Sequence, residues 1–152
     1  MRRPIIIIWL LVFMLRLTAA EPRVVARENM LKDQAWMDEY QKYTPDQALL
    51  DGLKARIGSN LKVDVYFAFW CDDSKNNVPR FIRILDSLGT SELQVTFYEV
   101  DRKANSEIKY YEDSLRIERV PTFVFFRGGK EIGRIIENPK RDMTEDFLTV
   151  VF

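Results

Sequence analysis

Cys71 carries the only thiol in the chain, within the run Phe69-Trp70-Cys71-Asp72-Asp73-Ser74. A cysteine that follows an aromatic strand and opens a helix meets unpaired backbone N–H groups and the positive end of the helix dipole. Both favour the thiolate, the form in which a cysteine reacts. Asp72 and Asp73 oppose that anion through like charge, less so if one of them is occupied as a helix cap. Three residues beyond the thiol, where a dithiol site carries its second sulfur, stands Ser74. A serine hydroxyl can donate to sulfur and steady the anion, but it cannot displace a partner held by a disulfide. The chemistry on offer is attack by one thiol on a disulfide, giving a mixed disulfide that an outside thiol must release. The plainer alternatives are a buried, inert cysteine and a serine that only caps a helix.

Composition removes other chemistries. There is no histidine, so imidazole acid–base catalysis and histidine metal sites are excluded. A single cysteine forms no internal disulfide; in an exported chain it is either buried or kept for reaction, or it links two copies. Asp72 and Asp73 with Glu99 or Asp101 are acids of the kind that solvate caps and turns, so neither a metal nor a cofactor is expected.

Arg2 and Arg3, an apolar run from Ile5 to Leu15, and Thr18-Ala19-Ala20 before Glu21-Pro22 read as a cleavable export signal over residues 1–20. The protein is therefore expected to be exported, periplasmic or secreted. The alternative is an uncleaved membrane anchor, but the run is short for a span of about 20 residues and Arg16 interrupts its end. A membrane partner is expected only if that segment is retained. Removing it takes away Arg2, Arg3 and Arg16 and no acid, leaving 20 basic against 23 acidic residues, a net charge of −3. Phosphate contacts need a basic excess, so no nucleic-acid partner is expected.

The remaining chain has length for one domain, and its 47% apolar residues suit a folded core. Residues 21–29 are charged and aperiodic and read as a tether. Trp36, Met37 and Tyr40 recur at helical spacing over 30–43. Thr44, Pro45 and Gln47 predict a capped helix start, with Leu49, Leu50, Leu53 and Ile57 on its apolar face and Gly58 at its end. Residues 61–69 read as a buried strand. Asp72 to Leu88 reads as a helix ended by Gly89 and bent by Pro79, and Leu93 to Val100 as a strand. Ser106 to Leu115 reads as a helix and Thr122 to Phe126 as a strand. Gly128-Gly129 reads as a hairpin turn, Glu131 to Ile136 as a strand, and Thr144 as the cap of a closing helix. The order β-α-β-α-β-β-α implies a parallel pair followed by an antiparallel hairpin.

Trp70-Cys71-x-x-Ser74 at a strand-to-helix junction resembles the active site of the thioredoxin superfamily. Pro79, eight residues on, matches the family's helix-kinking proline. Val120-Pro121-Thr122 resembles its cis-proline segment, and Phe126-Arg127-Gly128-Gly129-Lys130 its glycine hairpin. The resemblance spans residues 60–152. It implies a thioredoxin-like α/β fold, a three-layer α/β/α sandwich around a central mixed four-stranded sheet, here with an N-terminal helical extension over residues 21–59. By the same resemblance Cys71 is the attacking sulfur, Ser74 holds the resolving position, and Trp70, Val120 and a cis Pro121 contact substrate. The family's buried aspartate and paired lysine, the proton-transfer pair that assists its second cysteine, fall on Val65 and Phe97, and Asp64 is expected on the opposite strand face. Monothiol glutaredoxins are a second comparison, but no glutathione-carboxylate motif follows Pro121.

Together these features predict an exported monothiol protein, a thiol–disulfide oxidoreductase or isomerase. It would act through Cys71 on protein or low-molecular-weight thiol and disulfide substrates, with an external reductant. The alternative is a redox-inactive binding module for extended peptides, built on Trp70, Val120 and Pro121.

Overall fold

Alternation along Leu61-Lys62-Val63-Asp64-Val65-Tyr66-Phe67 builds the central strand. Leu61, Val63, Val65 and Phe67 enter the larger core on one sheet face, and Tyr66 joins a second cluster on the other. The structure is a computed structural model, and it describes residues 23–100 and 116–152. The strand β2 (Leu61–Phe67) pairs parallel with β3 (Gln94–Glu99) and antiparallel with β4 (Thr122–Arg127), which pairs antiparallel with β5 (Lys130–Ile136). Gly128 and Gly129 make the β4–β5 turn with φ of 59° and 79°, values that a side chain would strain.

A fifth strand joins this expected set of four. Residues read as a tether instead form β1 (Arg23–Val24), antiparallel to β3, so the sheet order is β1-β3-β2-β4-β5. Val25 N–H donates to Phe97 O at 2.9 Å, and Arg23 is ion-paired with Glu99. The short α1 (Arg27–Met30) follows, with Met30 fully buried. Open hydrogen-bonding groups at the sheet edge and the apolar Val25 and Met30 dock a stretch whose composition alone shows no period.

The helices α2 (Gln34–Lys42), α3 (Gln47–Lys54), α4 (Asp72–Leu88) and α5 (Met143–Val151) all contribute to the core on the Val63–Val65 face. The helix expected over Ser106 to Leu115 lies outside the described residues. Two helix starts differ from expectation. Asp46, not Thr44, caps α3 by accepting from Leu49 N–H, and Asp142, not Thr144, caps α5 by accepting from Thr144 N–H. In each case a carboxylate two residues from the predicted hydroxyl reaches the free N–H groups from the residue at which the backbone turns. The helix α3 also ends at Lys54, short of Gly58. A turn closed by Ile57 N–H on Leu53 O keeps Ile57 in the core.

Phe81 on α4 meets Phe123 at 5.0 Å, Phe147 at 5.4 Å and Phe125 at 6.4 Å between ring centroids, joining two helices to β4. Phe81→Ala removes the shared ring of this cluster. It is expected to cost about 3–5 kcal/mol, read as a lowered denaturation midpoint in urea.

The extension is clamped to the far end of the chain through Tyr43. Its hydroxyl donates to Asp142 at 2.7 Å and lies 2.7 Å from Thr144 Oγ1. Burial is the main cause that pushes the Tyr43 phenol up to about 12, and the Asp142 carboxylate adds to it. A raised folded value means this contribution is complete below the unfolded value near 10 and is lost as pH rises towards 12. Tyr43→Phe should lose about 1 kcal/mol at neutral pH. Its stability should fall less steeply than the parent's between pH 10 and 12, as followed by thermal melts.

Candidate active site

The strand β2 ends at Phe67, and the chain turns through Ala68–Cys71, closed by Cys71 N–H on Ala68 O at 3.2 Å. The turn delivers Cys71 to the N-cap of α4 in extended conformation, with φ −95° and ψ 122°. The thiol is free and partly buried. Its S–H donates to Val120 O at 3.2 Å, and the Val120–Pro121 peptide is cis. Three predicted residues, Cys71, Val120 and Pro121, therefore come together across 49 positions of sequence.

Trp70, next to the thiol, is 36% exposed, while Val120 is buried. Its carbonyl is the group the thiol engages, so a docking strand meets an occupied acceptor rather than an open one.

Ser74 behaves differently from the expectation that its hydroxyl serves the sulfur. It is fully buried, and its Oγ accepts from Ala68 N–H at 3.2 Å. The hydroxyl thus pins the turn that carries Cys71. The two acids of the first helical turn have partners of their own. Asp72 is ion-paired with Lys75 at 3.3 Å, and Asp73 accepts from Asn138 at 3.0 Å. Glu99, the third acid considered for a cation, is bound to Arg23, and Asp101 lies outside the described residues.

The two positions that the resemblance assigns to proton transfer are apolar, and they lie in a different core cluster from the one Cys71 packs against. Val65 and Phe97 are register partners on β2 and β3, and both lie in the larger core. Asp64 sits among the residues that alternate with this set. It is 4% exposed and paired with Lys62 at 3.0 Å.

Sequence reasoning missed a polar bracket behind the site. Asn77, 1% exposed on α4, donates to Glu137 O at 2.9 Å and to Asn138 Oδ1 at 2.8 Å. Glu137, with φ 58°, donates its N–H to Pro121 O at 2.7 Å. Thr122 Oγ1 donates to Arg119 O at 2.6 Å. Asn77 of α4 thus fixes the β5–α5 loop, whose Glu137 holds the Pro121 carbonyl, while Thr122 of β4 spans the cis peptide to Arg119. An asparagine one place before Val78, within the helix's apolar stretch, was the available signal.

The thioredoxin family model matches residues 53–149. The chain is 31% identical over 87 residues to thioredoxin of Echinococcus granulosus, covering 57% of this chain and 75% of that protein. It is 33% identical over 79 residues to thioredoxin of Malassezia sympodialis, covering 52% and 70%. A thioredoxin-like protein of Acanthamoeba polyphaga mimivirus is 32% identical over 71 residues, or 47% of this chain, and the match spans only 48% of the viral protein. Among solved structures, a protein of unknown function from Pseudomonas aeruginosa superposes with a TM-score of 0.60 at 16% identity, covering 84% of this chain and 85% of that one. That likeness concerns the fold alone.

Proposed function

The chain belongs to the thioredoxin family, and from that premise we propose that it performs thiol–disulfide exchange with one sulfur, outside the cytoplasm. The family carries the coarse assignment to thiol–disulfide redox chemistry. The observation that carries the finer one is the partly buried Cys71 thiol at the N-cap of α4, in contact with Val120 O, with a hydroxyl in place of the second sulfur.

In this reading the Cys71 thiolate attacks one sulfur of a substrate disulfide. The substrate S–S bond breaks, a bond between Cys71 and the substrate forms, and the second substrate sulfur leaves as a thiolate. Loss of the S–H proton also ends the hydrogen bond to Val120 O, since a thiolate cannot donate. The freed carbonyl can then accept from a substrate backbone beside Pro121, with Trp70 alongside. An outside thiol attacks the mixed disulfide, returns Cys71 to its reduced form and leaves bonded to the substrate. With Val65 and Phe97 at the proton-transfer positions and no resolving sulfur, net reduction is expected to be poor. Isomerisation, deglutathionylation and oxidation sensing fit a single presented thiol.

Trapping tests the assignment. Cys71-linked adducts recovered from the native compartment and identified by mass spectrometry should contain protein or low-molecular-weight thiols; an empty trap that also fails with a small disulfide reagent would sink it. Export has its own check, because a signal cleaved after Ala20 leaves a mature N-terminus at Glu21. No described helix is long and apolar enough to cross a membrane, and residues 1–20 lie outside the described set.

A further inference from the structure

We propose that Trp36, on α2 and outside the residues the family model matches, is a positioning residue for Cys71. The inference rests on the exchange reading above. Trp36 is fully buried and meets two rings that lead into the thiol, Phe67 at 5.5 Å and Phe69 at 5.1 Å. Those two rings meet each other at 5.3 Å, closing a triangle of aromatic contacts. Phe67 is the last residue of β2, and Phe69 lies inside the turn whose closing bond is Cys71 N–H on Ala68 O. Ser74 Oγ grips the same turn at Ala68 N–H. The turn therefore has a polar anchor within the family core and an aromatic anchor supplied by the extension.

The indole N–H of Trp36 is buried without a hydrogen-bond partner among the described residues. A buried unpaired donor is a cost, so the ring, not the N–H, is what serves this position. The helix that carries it is fastened to α4 by Arg80, which donates to Glu39 at 2.9 Å, and by Tyr40, which donates to Asp86 at 2.8 Å. Through Phe69, α2 holds Cys71 in line with the end of α4. Losing that alignment takes the sulfur away from the start of α4 and from its contact with Val120 O.

The test is the rate of Cys71 alkylation by iodoacetamide at neutral pH in the full chain, with amide exchange of Cys71 read in parallel. Trp36→Ala and Trp36→Leu should each slow alkylation about tenfold and speed amide exchange by a similar factor. Trp36→Phe, which keeps a ring and removes the unpaired N–H, should restore the rate to within about twofold of the parent. Leu53→Ala on α3, a buried truncation remote from Phe69 in sequence, should destabilise the fold and leave alkylation within about twofold of the parent. Parent-like alkylation in both Trp36→Ala and Trp36→Leu overturns the proposal, as does equal slowing in Leu53→Ala. A parent thiol that alkylates but forms no mixed disulfide overturns the exchange reading instead, and the Trp36 comparison still decides the positioning.

Discussion

Cys71→Ser is expected to abolish mixed-disulfide formation completely while leaving the fold intact. A hydroxyl at the N-cap suits the helix start at least as well as a thiol, because serine is among the preferred capping residues. The lost interaction is the weak S–H donation to Val120 O, which a serine O–H can replace if it reaches the same carbonyl. Stability should therefore stay within about 1 kcal/mol of the parent. Reactivity should fall to nothing, since no other thiol exists in the chain. Incubation with a small disulfide reagent and intact-mass measurement reads both outcomes, one adduct on the parent and none on the variant. The same variant separates the two functional readings. If partner binding and phenotype persist in Cys71→Ser, the peptide-binding module built on Trp70, Val120 and Pro121 is the correct description and exchange is not.

Ser74→Cys is expected to change the fate of the adduct. The new sulfur sits in the first turn of α4, three residues from Cys71. It can attack Cys71 in the mixed disulfide, forming a bond within the chain and releasing the partner as a thiolate. Against an outside thiol at millimolar concentration, a sulfur held in the same turn with an effective concentration of about 1 M or more shortens the adduct lifetime about a thousandfold. Because Val65 and Phe97 offer no proton acceptor, release should keep accelerating as pH rises towards about 8.5, the ordinary thiol value. The substitution also weakens the acceptor for Ala68 N–H, at a cost of about 1 kcal/mol. Stopped-flow trapping of the adduct measures its lifetime. A lifetime equal to the parent's would mean that position 74 does not face the Cys71 sulfur.

Much of the fold was legible because burial imposes a period. Residues 61 to 67 are rich in β-branched and aromatic side chains, and Val78, Phe81, Ile82, Leu85 and Leu88 recur at helical spacing, so β2 and α4 follow from local pattern. Helix starts were less legible. Thr44 and Asp46, or Asp142 and Thr144, are both chemically able to cap, and only the path of the backbone chooses between them. The docking of Arg23 to Met30 was not legible either, since a two-residue edge strand carries no period and is held by its partner β3. The bracket of Asn77 and Glu137 depends on a loop that is distant in sequence, where local reasoning has no reach.

By itself, the sequence determines that any exchange chemistry here runs through one sulfur. One thiol and no histidine are matters of residue identity, and the family resemblance is what sets Ser74 at the resolving place and Val65 with Phe97 at the proton-transfer places. Residue identity does not say what that sulfur touches. Folding places the Cys71 S–H on a carbonyl 49 residues away, turns the Ser74 hydroxyl onto Ala68 N–H, and brings the Trp36 ring from the extension against Phe69. Each of those contacts depends on directions that side chains acquire only when separate elements pack together, and for that reason the tertiary structure alone decided them.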